Sequence, residues 1–193
     1  VVPTGILDQW RSELKRFAPS VSVSEYYMKK RDVSGTVVLT TYKMLSNSYL
    51  ELITLPVFDR IVFDESHQLK GMNTQTLHGC SSIYARASWC LTATPCDDVL
   101  SLCPQLSMLQ VYPFNYKTDP AVLQRIWNLD RGLFRKMLDE IVFEISETRL
   151  EQLGVNPMSH VIQAEQIVTL ELPFVVKKLV AVLIENYKEN FEY

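Results

Sequence analysis

The run Arg60-Ile61-Val62-Phe63-Asp64-Glu65-Ser66-His67 constrains this chain more than any other segment. Ile61, Val62 and Phe63 are consecutive and apolar, the pattern of a strand covered on both faces in a parallel sheet. The run ends abruptly in two adjacent carboxylates, with a histidine two positions further on. Ligands of open α/β sheets bind beyond the carboxyl ends of the strands. Asp64 and Glu65 are therefore expected to project into such a crevice. One hard carboxylate can hold magnesium through its water shell, and a second can orient or deprotonate an attacking water, which suits phosphoryl transfer. By itself, Asp-Glu-Ser-His also fits a charged loop after a buried strand.

The flanking pattern predicts the rest of the layer. Ile6, Leu7, Trp10, Leu14 and Phe17 form one helical stripe, with Thr4 as N-cap and Pro19 as stop. Val21 to Tyr27 reads as a strand, Lys29 to Asp32 as a polar turn, and Thr36 to Thr41 as a buried strand. Tyr42 to Leu52 reads as a short helix, Asn73 to Tyr84 as another, and Ser88 to Thr92 as an inner strand. Strands and helices that alternate at this spacing predict βαβ units and an α/β fold, a parallel sheet flanked by helices. After Pro113 the character changes. Ala121 to Ile145 is helical in pattern, Gln166 to Glu171 extended, and Val175 to Phe191 an amphipathic helix. Residues 1–113 are thus expected to form the sheet-bearing unit and 114–193 a C-terminal helical extension. Val1-Val2-Pro3-Thr4 looks like the end of a strand entering a turn, so the chain is expected to be a piece of a larger protein.

Composition narrows the partners. Nineteen Lys and Arg against 22 Asp and Glu give a net charge of −3, so no bulk positive field holds nucleic acid. Any such contact must come from local donors. Cys80, Cys90, Cys96 and Cys103 form no C-x-x-C pair, which argues for free thiols in a reducing compartment over zinc. No apolar stretch is long enough to span a membrane, and no secretory signal is visible.

Four segments, taken together, resemble the Swi/Snf-type ATPases of helicase superfamily two. Val1 to Trp10, followed by Glu13, is similar to that family's first nucleic-acid-contact motif. Val37-Val38-Leu39-Thr40-Thr41-Tyr42 resembles the next such motif. Asp64-Glu65-Ser66-His67-Gln68-Leu69-Lys70 looks like the DEAH-box segment, and Leu91-Thr92-Ala93-Thr94-Pro95 like the coupling motif. All four stand in the family's order.

The resemblance implies a partial RecA-like ATP-binding lobe over residues 1–113, lacking its P-loop, and a linker toward the second RecA-like lobe over 114–193. It assigns Asp64 to magnesium through water and Glu65 to the attacking water, with both carboxylates near the metal. His67 would sense the γ-phosphate and link it to Thr92, Ala93 and Thr94. Pro3, Thr4, Gly5, Thr40 and Thr41 would grip double-stranded DNA. At strand-to-helix junctions, bare amides and short hydroxyls can hold a sugar-phosphate backbone without reading bases. Thr4 also fits a plain N-cap, Thr40 and Thr41 fit β-propensity alone, and His67 fits a surface histidine. Lys43 and Lys70 read as solvated lysines, His78 and His160 as structural, and Trp10 and Trp89 as core packing.

ATP and Mg2+ are the implied cofactors. The implied activity, in the intact protein, is a DNA-dependent ATPase and translocase of the chromatin-remodelling type. Its implied partners are chromatin or replication and transcription proteins, in the nucleus or a viral equivalent. No Gly-Lys-Ser or Gly-Lys-Thr occurs in these 193 residues, so they are expected to bind ATP poorly and hydrolyse it negligibly alone. Ser66 stands where alanine is commoner, and Cys96-Asp97-Asp98 replaces a hydrophobic-Gln-Asn segment. Two other readings stay open: a non-catalytic DNA- or protein-binding module built on this fold, and an RNA helicase of the same superfamily.

Overall fold

A computed structural model describes residues 1–111 and 119–143 of the chain, and one compact unit spans Val1–Val142. After a 3-10 turn over Thr4–Ile6, α1 runs Leu7–Phe17. Strands β1 (Val23–Tyr27), β2 (Lys30–Arg31) and β3 (Val37–Thr40) follow, then the short helices α2 (Tyr42–Asn47) and α3 (Tyr49–Leu52). Next come β4 (Phe58–Asp64), α4 (Gln75–Ser81), β5 (Ala85–Leu91), α5 (Cys103–Met108), α6 (Ala121–Leu129) and α7 (Arg131–Asp139).

Hydrogen bonding arranges the strands as β2-β1-β3 and β4-β5. β1 and β3 run parallel, as do β4 and β5, the latter over a register that sets Asp64 opposite Leu91. The two ladders are joined by Val1 and Val2. Val2 donates to the carbonyl of Thr40 at 2.9 Å and accepts from the N–H of Tyr42 at 3.4 Å. On the other side the Val1 nitrogen donates to Val62 at 2.7 Å, and its carbonyl accepts from Asp64 at 2.9 Å. This dipeptide therefore does the work of a strand between β3 and β4. Away from it, the space between those two strands is a cleft of about 550 Å³, lined by Trp10, Val38, Leu45, Arg60 and, at its end, Asp64.

The fold is α/β with parallel strands and flanking helices, and the sheet departs from pure parallel order at one point. Lys30 and Arg31, read as part of a turn, form β2 and pair antiparallel with Tyr26 and Tyr27. Met28 takes a left-handed φ of 52° to close that hairpin. The β1-to-β3 connection is thus a hairpin strand rather than a helix, whereas β4-α4-β5 is a βαβ unit.

Two apolar clusters hold the layers. Leu45, Leu52, Phe63, Leu69, Leu77, Cys80, Leu106, Leu123 and Phe134 belong to the larger one, with α2 to α7 packed on it. Val2, Leu7 and Leu39 form the smaller, against which Trp10 and Leu14 of α1 pack. Phe17 leaves the predicted stripe: it is exposed, under the Arg16 guanidinium at 4.8 Å. The predicted helix over 42–52 breaks at Ser48, whose φ of −128° is not helical. The helical pattern after 121 divides at Asp130, whose carboxylate accepts from the N–H groups of Gly132 and Leu133 and so caps α7. The expected strand over 166–171, the helix over 175–191 and His160 lie outside the described residues.

Candidate functional site

β4 carries Asp64 to its C-terminal end, half-buried. Asp64 is gripped at both its backbone and its carboxylate. The Tyr42 hydroxyl donates to its carbonyl at 2.8 Å, while its own N–H donates to Val1. The Trp10 indole N–H donates to Oδ2 at 2.6 Å, and the Glu65 amide to Oδ1 at 3.1 Å. Each carboxylate oxygen keeps a lone pair for another donor, such as a metal-bound water. Burial, then the neighbouring Cys80, Cys90, Asp64 and Glu65, pushes the Tyr42 phenol above its ordinary range, so it stays a donor.

Glu65 ends the strand through a left-handed φ of 51°, a conformation that costs a non-glycine residue about 1–2 kcal/mol. Strained backbone of this kind collects at functional sites. It turns the chain at once into a 3-10 segment over Ser66–Gln68. Glu65 Oε2 lies 3.2 Å from His67 Nδ1, and that nitrogen lies 3.0 Å from Thr92 Oγ1. With its proton on Nδ1, His67 donates to Thr92 Oγ1, and the Glu65 carboxylate lies close beside the same nitrogen. The parallel register explains the meeting: with Asp64 opposite Leu91, Thr92 is the first residue past β5, beside the turn that follows Asp64. The Thr94 amide donates to Thr92 Oγ1 at 3.1 Å, so Thr94 joins His67 through Thr92; Ala93 and Thr94 are exposed.

A second tie joins the same two loops. Ser66, fully buried, donates its hydroxyl to Gln105 Oε1 at 2.8 Å, and the Gln105 amide donates to the carbonyl of Pro95. Sequence reasoning missed Gln105 and the helix that carries it. The signal was faint: Pro104 near the start of a short apolar segment, where proline suits the first helical turn.

The segments read as nucleic-acid contacts divide by exposure. Thr4 and Gly5 are exposed on the 3-10 turn, and Pro3 is half-buried. Thr4 is not the helix cap the pattern suggested; no side-chain cap bond forms there, and Ile6 stands at the start of α1. A Cβ at Gly5 would meet nothing within 4 Å, so no internal contact demands glycine. Thr41 is wholly buried, its hydroxyl accepting from the Met44 amide as the cap of α2. Thr40 is buried with its hydroxyl unpartnered among the described residues.

Lys43, Lys70 and His78 are exposed. Of the two tryptophans read as core packing, Trp10 packs on the smaller cluster as expected and Trp89 does not. Trp10 spends its one polar atom on Asp64, and Trp89 is 51% exposed because β5 lies at the edge of its described ladder, with Arg60 5.7 Å over its ring.

Among the described residues no group of three or more His, Cys, Asp and Glu side chains could cage a metal. What the site offers is one anchored carboxylate and one next to it. That donor set fits magnesium, which keeps several waters and completes its octahedron on substrate phosphates.

The model of the SNF2-related domain matches residues 1–141. DNA repair protein RAD5B of Arabidopsis thaliana is 34% identical over 128 residues, 59% of this chain and 10% of its own length. The SWI/SNF-related matrix-associated actin-dependent regulator of chromatin subfamily A containing DEAD/H box 1 homolog of Drosophila melanogaster is 32% identical over 115 residues, 52% of this chain and 14% of its own. The chain thus spans a small fraction of these curated relatives. Among solved structures, the Sulfolobus solfataricus SWI2/SNF2 ATPase core in complex with dsDNA aligns over 76% of this chain and 33% of that one. Its TM-score is 0.63 at 18% identity, a likeness of fold.

Proposed function

The chain belongs to the SNF2-related domain family, and we propose that it forms most of the first RecA-like lobe of an ATP-driven translocase on double-stranded DNA. On this reading residues 1–113 are the partial ATP-binding lobe, and 114–193 lead toward the second lobe. The observation that carries the reading is the acid pair at the end of β4: Asp64 half-buried and anchored, Glu65 turned by its left-handed backbone toward His67 and Thr92.

Magnesium, when bound with ATP, neutralises charge on the transferring phosphoryl group. Asp64 holds a water of the metal's shell with the lone pairs that Trp10 and the Glu65 amide leave open. Glu65 orients the attacking water and accepts its proton. His67, shared between Glu65 and Thr92, ties the state of the hydrolytic carboxylate to the loop of Thr92, Ala93 and Thr94. Pro3, Thr4 and Gly5 meet the sugar-phosphate backbone, and the buried Thr40-Thr41 junction supports that surface from below. A P-loop and a second lobe, as partners, complete the motor, so these residues alone turn over no ATP. The DNA repair and chromatin names of the relatives support duplex DNA as the track and the nucleus, or a viral equivalent, as the setting.

The test is ATP turnover by the intact protein without nucleic acid, with duplex DNA and with duplex RNA. Stimulation by DNA is expected. Stimulation by RNA alone would make it an RNA helicase, and no turnover under any condition would make it a non-catalytic module.

A further inference from the structure

Both segments read as nucleic-acid contacts send a hydrogen bond to Asp64. Trp10 lies on α1, directly after the Thr4–Ile6 turn, and donates to the Asp64 carboxylate at 2.6 Å. Thr4 and Trp10 are six positions apart, Thr4 on the 3-10 turn that runs into α1 through Ile6 and Trp10 in the first turn of α1. Tyr42 is the residue after Thr41 and the first of α2, and it donates to the Asp64 carbonyl at 2.8 Å. Its ring stacks on Phe63, the residue before Asp64, at 6.5 Å and 22°. Between the two, Val2 bonds to Thr40 and Tyr42 while Val1 accepts from Asp64.

We propose that Trp10 and Tyr42 are positioning residues through which duplex DNA sets the orientation of the magnesium-holding carboxylate, a claim that rests on the functional reading above. Backbone phosphates held at the exposed Thr4-Gly5 turn fix α1 and, through Val2, which bonds to Thr40 and Tyr42, the start of α2 in the arrangement seen here. Fixed helices fix the indole N–H and the phenol O–H. A carboxylate so held gives up its rotamer freedom before the metal arrives, which strengthens metal and nucleotide binding without any new contact to either. A charge-assisted bond to an indole is strong enough to carry this, and it leaves each oxygen a lone pair for the metal's water. Because linkage is reciprocal, magnesium and nucleotide tighten DNA binding by the same factor.

Tyr42→Phe deletes one donor and keeps the ring, and Trp10→Phe deletes the other and keeps an aromatic, though smaller, side chain. In the intact protein, three quantities are compared with the unsubstituted form. They are the ratio of DNA-stimulated to basal ATP turnover, the Mg2+ concentration at half-saturation of a non-hydrolysable ATP analogue with and without duplex DNA, and DNA affinity with and without that analogue. Loss of the charge-assisted Trp10 bond predicts about a tenfold fall in the stimulation ratio, and loss of the neutral Tyr42 bond about a fivefold fall. Duplex DNA should no longer lower the Mg2+ requirement, and the analogue should no longer tighten DNA. Thermal melts identify a variant that fails to fold, and the other then decides.

A stimulation ratio and Mg2+ linkage within about twofold of the unsubstituted values in both variants overturn the proposal. An equal fall in basal and stimulated rates overturns it too, because a merely structural role gives that result. An unsubstituted protein that hydrolyses no ATP with DNA defeats the functional reading itself, a different outcome from either.

Discussion

Ser66 Oγ donates to Gln105 Oε1 at 2.8 Å across 39 positions of sequence, with both residues at most 5% exposed. The same glutamine donates to Pro95, so one buried amide spans the loops after β4 and β5. Ser66→Ala strands the Gln105 oxygen in a dry site. A loss of about 1–3 kcal/mol in unfolding free energy by urea titration is expected. A change under about 0.5 kcal/mol would mean that the bond does not hold the loops.

Gly79 marks a close approach of α4 to α2. A Cβ built there would sit 2.2 Å from the carbonyl oxygen of Leu45, a backbone atom that cannot swing aside. Gly79→Ala should therefore separate α4 from α2 and cost about 1–3 kcal/mol or more, despite alanine's better helix propensity. A melting temperature at or above that of the unsubstituted protein would contradict the packing described.

Thiol labelling should follow burial. Cys80 and Cys90 are pushed up to about 12, chiefly by burial, whereas Cys96 is exposed. Since the thiolate is the reactive form, mass spectrometry after alkylation at pH 8 should find Cys96 modified first and Cys80 only on unfolding. Early modification of Cys80 would contradict its burial on the inner face of α4.

Glu25 supplies a pH-dependent clasp between β1 and α1. Hydrogen bonding to Arg11 and Lys30 holds its carboxyl below the usual 4.5. A depressed acid contributes stability that is present above its unfolded value and lost as pH falls through the lower folded one. Glu25→Gln should therefore be less stable than the unsubstituted chain at neutral pH, with the difference closing below pH 4.5. A difference that persists unchanged into acid would exclude the ionic origin.

The elements legible in the sequence were those whose signal is local. The apolar runs Val37–Leu39 and Ile61–Phe63 read as strands because burial on both faces needs no partner information. Two of the four motif segments meet at the candidate site, where His67 reaches Thr92, because parallel strand ends in an α/β sheet lie side by side. β2 was illegible because Lys30 and Arg31 pair through backbone atoms, and their charged side chains look like a turn. α5 was illegible because it is buried on every face and shows no amphipathic stripe. The polar use of Trp10 and Gln105 depends on neighbours 54 and 39 positions away, a distance over which residue pattern carries no information.

The central claim is tested most directly at Glu65, by measuring DNA-stimulated ATP turnover and ATP binding in the intact protein carrying Glu65→Gln. The amide keeps the shape and cannot take a proton from water. The account predicts that turnover falls by about a hundredfold or more while ATP still binds. Turnover close to that of the unsubstituted protein would contradict it.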